Sequence, residues 1–292
     1  MWHNKRPFIL CTLAVMLHIL AAPCFPAEKP LVGFGINLRY NPRTMYYRYQ
    51  PLMDYLTQNT PYRFQLLISR DYRGALKDLK EGKALISSLG DGAFVEAIIL
   101  DGALPIVKPL NRNGKPFFRC AIIVPRESAI YSLQELKEKR FAFGSYHSIT
   151  GNLIPRYMLQ EAGVSLSGPG YQASLKNHDA VTKAILKGQY DAGAVKEMFA
   201  EKYLQYGLRI VAYSPQMPSV PLVASSRAPK ALRDAVAAAL LNLDPGNPAH
   251  QKLMSAWDDE FKHGFAAASV QDYREMIGMF RSIPLGCGTR CH

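Results

Sequence analysis

Apolar runs alternate with amphipathic stretches from Lys29 onward. Residues 31–37 (LVGFGIN) read as a short apolar strand, a helical stretch follows near 46–58, and residues 63–68 read as a second strand. Asp71 is placed to cap a helix on which Ala75, Leu76 and Leu79 share one face before Gly82 ends it. Residues 84–89 form a third strand, which Gly90-Asp91-Gly92 turns into a helix over 93–100. Strands separated by helices of this length predict a parallel sheet covered on both faces.

The alternation then repeats. Residues 117–125 (FFRCAIIVP) are another apolar run, 132–137 a short helix and 140–144 a strand. Helices are predicted over 150–162 and 179–186, and strands over 191–195, 209–213 and 221–225. The last segments, 231–243, 250–261 and 270–280, have helical periodicity. The pattern fits two α/β lobes with mainly parallel sheets, joined by crossing strands around a ligand cleft; a single doubly wound domain is the alternative. Lobe 1 is assigned to 28–112 plus about 215–292, lobe 2 to 113–214, with hinges near 108–118 and 208–224.

Ahead of the alternation, Lys5 and Arg6 precede an apolar run over 7–22 that is interrupted only by Thr12 and His18. A basic start and an apolar stretch of about 15 residues, shorter than the roughly 20 of a membrane span, read as a secretory signal peptide over residues 1–27. An uncleaved anchor is the alternative. Ala22 and Ala27 are both candidate cleavage sites, and Pro23 before Cys24 argues against lipid attachment there. This predicts an extracytoplasmic, periplasmic protein.

Charge then takes on a different meaning. The 292 residues carry 35 Lys and Arg against 23 Asp and Glu, a net +12. Losing residues 1–27 removes two bases and no acid, so +12 becomes +10. No basic run, aromatic-interleaved patch or recognition motif accompanies this excess, so no nucleic-acid partner is expected. A diffuse positive field that draws small anions fits better.

Five cysteines are too few for a disulfide scaffold. Without Cys11 and Cys24, three remain: Cys120 within an apolar strand, and Cys287 and Cys291 in the tail 283–292. The ending Cys287-Gly-Thr-Arg-Cys291-His292 departs by one residue from the Cys-x-x-Cys-His of covalent c-type haem attachment. A disulfide, a haem, and an adventitious or metal-binding tail all stay open.

The most informative local stretch is 144–152 (GSYHSITGN), which follows a strand and opens a helix. Backbone N–H groups at a helix start lack intrahelical partners, and the helix dipole places positive potential there. The Ser148 and Thr150 hydroxyls, with the Thr150 and Gly151 N–H groups, would offer donors to a small oxyanion; a plain helix cap is the alternative. His178 stands just before another helix. No HExxH, Walker A, GxSxG or dinucleotide fingerprint occurs, and no catalytic set stands out, so no enzyme activity is expected.

Taken in order, several stretches resemble one family. They are residues 49–56 (YQPLMDYL), Asp71-Tyr72, 90–97 (GDGAFVEA), 132–136 (SLQEL), 141–155 (FAFGSYHSITGNLIP), 178–195 (HDAVTKAILKGQYDAGAV), 214–218 (SPQMP) and Asp272-Tyr273. Together they resemble the periplasmic phosphate/phosphite/phosphonate-binding proteins of ABC importers, over about 31–280. The resemblance implies a two-lobed Venus-flytrap protein that closes over a phosphorus oxyanion and delivers it, as a monomer without cofactor, to an ABC permease in the inner membrane. The family's Ser-Thr-Ser loop falls on Ser148-Ile149-Thr150, its binding histidine on His178 and a first-lobe tyrosine on Tyr72. The ligand set implied is therefore Tyr72, Ser148, Ile149, Thr150, Gly151 and His178.

Two departures accompany it. Phe117 stands where the family places an aromatic hydroxyl, and Val220 where it places an acid. Loss of that acid disfavours an aminoalkylphosphonate and leaves phosphate, phosphite or a different oxyanion open. The rival reading on the same fold is a periplasmic ligand-sensing or redox partner, possibly haem-bearing through Cys287, Cys291 and His292, that signals to a membrane kinase.

Overall fold

The computed structural model describes Met1 and residues 28–146, 148–165, 171–172 and 175–282. The first elements are β1 (Leu31–Asn37), α1 (Pro42–Asn59), β2 (Arg63–Ser69), α2 (Tyr72–Lys80), β3 (Ile86–Ser88), α3 (Asp91–Asp101) and β4 (Leu104–Pro109). The chain then runs through β5 (Phe117–Phe118), β6 (Cys120–Pro125), β7 (Phe141–Ala142), α4 (Ile154–Glu161), β8 (Tyr171–Gln172), α5 (His178–Leu186), β9 (Ala192–Lys196), α6 (Glu197–Tyr203) and β10 (Leu208–Tyr213). It returns by β11 (Met217–Pro218), β12 (Leu222–Ala224), α7 (Lys230–Leu241), α8 (Pro248–Met254), β13 (Phe265–Ala267) and α9 (Arg274–Ser282).

These strands form two separate main sheets, as a two-lobed protein requires and a single doubly wound domain does not. The six-stranded sheet has the order β13-β4-β12-β3-β1-β2, and the five-stranded sheet β10-β6-β9-β7-β8. The expected parallel pairing joins β3, β1 and β2 in one sheet and β9, β7 and β8 in the other. Antiparallel pairs enter through the strands that adjoin the crossings: β12 beside β3 and β4, and β6 beside β9 and β10. Both sheets are therefore mixed. A third, two-stranded ribbon pairs β5 with β11 where the chain crosses between the lobes.

Helix α1 shows how sequence makes this packing. Asn41 accepts the Thr44 N–H, Pro42 opens the first turn, and Met45, Tyr49, Leu52, Met53 and Leu56 present one fully buried face. That face packs with Phe34 and Ile36 of β1 and with Leu232 and Val236 of α7. A second core joins Phe94 and Tyr273 of the first lobe to Phe118, Ile122, Phe141 and Ile154, so apolar contact runs continuously past the crossing strands.

The differences from the predicted elements have local causes. The run 117–125 breaks at Arg119, whose carbonyl accepts the Glu197 N–H and whose guanidinium pairs with Glu197. The helix expected over 150–162 opens with a wider π turn over Ile149–Leu153 before α4. The helix expected over 250–261 ends at Met254, and residues 255–261 turn back on themselves. Strands β4 and β13 and helix α6 stand where no element was predicted. Among the described residues no helix is long and apolar enough to cross a membrane. The segment expected to be a signal peptide, apart from Met1, and the tail with Cys287, Cys291 and His292 lie outside the described residues.

Candidate ligand-binding cleft

Ser148 caps the start of the π turn: its Oγ accepts the Gly151 N–H at 2.9 Å. Gly144 and Gly151 pack backbone to backbone, with the Gly144 N–H donating to the Gly151 carbonyl at 2.7 Å. The Gly151 N–H is thus engaged within its own turn. The remaining donors of this helix start are taken from across the cleft. The Asp91 carboxylate accepts the Ile149 N–H at 2.9 Å, the Thr150 N–H at 2.7 Å and the Thr150 hydroxyl at 2.5 Å.

Asp91 is itself the first residue of α3 and also accepts the Gly92 N–H at 3.0 Å. One buried carboxylate therefore sits between two helix N-termini, one from each lobe, where both dipoles favour negative charge. Within the motif GDGAFVEA the sequence reads Asp91 as part of a turn, and only the fold reveals its partners. The local signal that could have flagged it is an acid at the first position of a helix that begins directly after a strand.

Tyr72 and His178 meet beside this carboxylate. Both line a chamber of about 60 Å³ together with Asp91, Arg39, Lys196 and Val220. Tyr72 opens α2 behind the Asp71 cap, which accepts the Gly74 N–H at 2.8 Å. Burial, with the neighbouring Asp91 charge, pushes the Tyr72 hydroxyl up to about 12, so it stays a proton donor at neutral pH.

His178 opens α5 behind Asn177, and its ring rests on Phe199 at 5.1 Å between centroids. Its Nε2 lies 3.5 Å from Thr150 Oγ1, and its Nδ1 is buried without a partner. The Thr150 proton goes to Asp91, so the Thr150 oxygen is left to accept, which favours a hydrogen on Nε2 and a bare Nδ1. Burial, reinforced by Lys196 and Arg39 against Asp91 and Glu260, holds the His178 pKa down to about 4 and the ring neutral.

On the wall of the same chamber, Glu260 accepts from Arg39 and from Lys196, and Arg39 also donates to Ser88 Oγ at 2.9 Å. Burial opposes ionisation of Glu260, but the Arg39 and Lys196 charges hold its carboxyl down to about 2. Arg39, Lys196 and Glu260 were not singled out in the sequence, because each is meaningful only beside the others. Lys196, Phe199 and Glu260 also border a larger cavity of about 480 Å³, lined on its far side by Phe117, Phe118 and Arg119. Phe117 thus faces the larger cavity and Val220 the small chamber. Ser148, Ile149, Thr150 and Gly151 line neither, because Asp91 stands in front of them. Among the described residues no group of His, Cys, Asp and Glu is arranged to hold a metal ion.

Residues 34–273 match a family model described as ABC transporter, phosphonate, periplasmic substrate-binding protein. The probable ABC transporter phosphite binding protein PhnD1 of Prochlorococcus marinus (strain MIT 9301) is 29% identical over 168 residues, 53% of this chain and 56% of that protein. The chain thus spans little more than half the length of that curated relative. A binding protein component of an ABC phosphonate transporter from Pseudomonas aeruginosa superposes with a TM-score of 0.74 at 19% identity, covering 86% of each chain. PhnD1 from Prochlorococcus marinus in complex with methylphosphonate gives 0.72 at 19% identity, covering 87% of this chain and 98% of the other. At such identities the two structures speak for the fold alone.

Proposed function

The chain belongs to the phosphonate periplasmic substrate-binding family of ABC transporters, and from that premise we propose that it captures a small phosphorus oxyanion between its lobes and hands it to an inner-membrane ABC permease. Its compartment is the periplasm and its working unit a monomer. Tyr72, Ser148, Ile149, Thr150 and His178 are the residues assigned to the ligand, with Gly151 holding the turn in shape.

One observation carries this reading: the helix-start donors already hold an anion, the Asp91 carboxylate. A buried position that satisfies a carboxylate with two N–H groups and a hydroxyl is chemically an oxyanion position. The ligand's oxygens would take the Ile149 and Thr150 N–H groups and the Thr150 hydroxyl. Neutral Tyr72 adds a donor without adding charge, and neutral His178 keeps its one N–H beside Thr150. Lobe closure removes water from these bonds and strengthens them, and a permease reads the closed form.

Val220 offers an amino substituent nothing to pair with, and the small chamber leaves little room beside the anion. The ligand class favoured is therefore phosphite, phosphate or a short alkylphosphonate. Calorimetric titration with phosphate, phosphite, methylphosphonate and sulfate tests this. Binding of at least one phosphorus oxyanion, weakened in Thr150→Val and His178→Ala, is the expected result; silence towards all of them sinks the reading.

A further inference from the structure

The position that would receive the ligand is filled from within the chain. Asp91 reaches across from α3 and takes the three donors of the second lobe at 2.5–2.9 Å, with only 7% of its surface exposed. The free space beside it is a chamber of about 60 Å³. A ligand that takes the Ile149 and Thr150 donors has to displace the carboxylate.

We propose that Asp91 is a tethered competitor that sets which anions the cleft accepts, and in particular excludes carboxylates. The proposal rests on the oxyanion-binding reading above. A group fixed to the chain competes at an effective concentration on the order of millimolar or higher. A free carboxylate brings the same two oxygens and the same single charge as Asp91, so nothing offsets that advantage. A phosphorus oxyanion brings a third oxygen and up to two charges. Its oxygens can take the Ile149 and Thr150 donors while another reaches Tyr72 or His178, contacts that Asp91 does not make. The tether thus discriminates by adding a penalty that only the better-endowed ligand overcomes.

The test is titration of wild type, Asp91→Ala and Asp91→Asn with phosphite, methylphosphonate and acetate, each variant first shown to melt cooperatively. Asp91→Asn keeps the shape and carries the test if the alanine variant fails to fold. Asp179→Asn serves as control, because it removes a charge lining the chamber without touching the donors. The expected outcome is wild type binding a phosphorus oxyanion and no acetate. Asp91→Ala should bind that oxyanion at least about tenfold more tightly and gain acetate, with Asp179→Asn still silent to acetate. Unchanged oxyanion affinity in both Asp91 variants, or acetate binding gained equally in Asp179→Asn, overturns the proposal. Silence of wild type and of every variant towards both phosphorus anions overturns the transport reading instead, and this inference falls with it.

Discussion

The Tyr72 ring lies so close to Gly90 that a methyl group on the glycine would come within 2.0 Å of Tyr72 Cε1. The Gly90 backbone, at φ −69 and ψ 164, suits any residue, so the approach of the ring is what requires glycine. Gly90→Ala should push the ring out of the chamber at a stability cost of roughly 1–3 kcal/mol. Ligand titration and thermal melting check this, and a variant that binds and melts like wild type would show that the ring is not held there.

Acid should weaken the protein in two successive windows that overlap near pH 4. His178 has a folded pKa of about 4 against an ordinary 6.5, so its contribution is complete above 6.5 and is lost as pH falls from there towards 4. Glu260 sits at about 2 against an ordinary 4.5, so its contribution is complete above 4.5 and is lost as pH falls towards 2. Melting temperature followed from pH 8 to pH 3 should show both declines. His178→Gln should flatten the upper window alone; an unchanged upper decline in that variant would refute the assignment.

Removing Glu260 at neutral pH should be costly. Glu260→Gln takes from the half-buried Arg39 and Lys196 the carboxylate that both pair with. Loss of one partner from a fully buried pair costs on the order of 3–5 kcal/mol, and the partial exposure of the two cations places this loss below that range. Replacing Lys196 by Met in the same background should recover part of the loss, because it removes one stranded cation. Denaturant melts of the single and double variants measure the coupling, and strictly additive losses would contradict it.

Cys120 has no exposed surface, and burial pushes its thiol pKa far above the ordinary range. In the native protein, iodoacetamide at pH 8 should leave the Cys120 peptide unlabelled, whereas denaturant should allow complete labelling. Rapid native labelling of that peptide, read by mass spectrometry, would contradict its place in the core.

How far the sequence foretells this molecule depends on how local each feature is. Helix α1 and the Asp71 cap of α2 are written in neighbouring residues: α1 covers the stretch near 46–58 where a helix was expected, and Asp71 caps α2 as expected. Strand β4 escapes because Pro105 and Pro109 break its pattern, and β13 because three residues carry no period. Helix α6 buries only Ala200 and follows β9 without a turn residue, so no apolar stripe marks it.

The helix start at Ser148 was legible as a donor site, because cap and dipole rules are local. Its occupant was not: Asp91 lies 59 positions from Thr150 in sequence, and a Gly-Asp-Gly reads as a turn. Arg39 and Glu260, 221 positions apart, are two unremarkable surface-type residues until the fold joins them.

The order of strands in the six-stranded sheet also orders the birth of the molecule. Every strand of the five-stranded sheet comes from one uninterrupted stretch, residues 120–213, so that sheet can assemble as soon as the stretch is available. In the other sheet, β12 sits between β3 and β4 yet arrives more than a hundred residues after them. Until it does, β3 and β4 each present an unpaired edge to any passing strand, and their closure waits on long-range search. A chain delivered end first would complete its later lobe while the earlier one stands open. The sheet behind Tyr72 and Asp91 is then complete only once residues 222–224 have arrived.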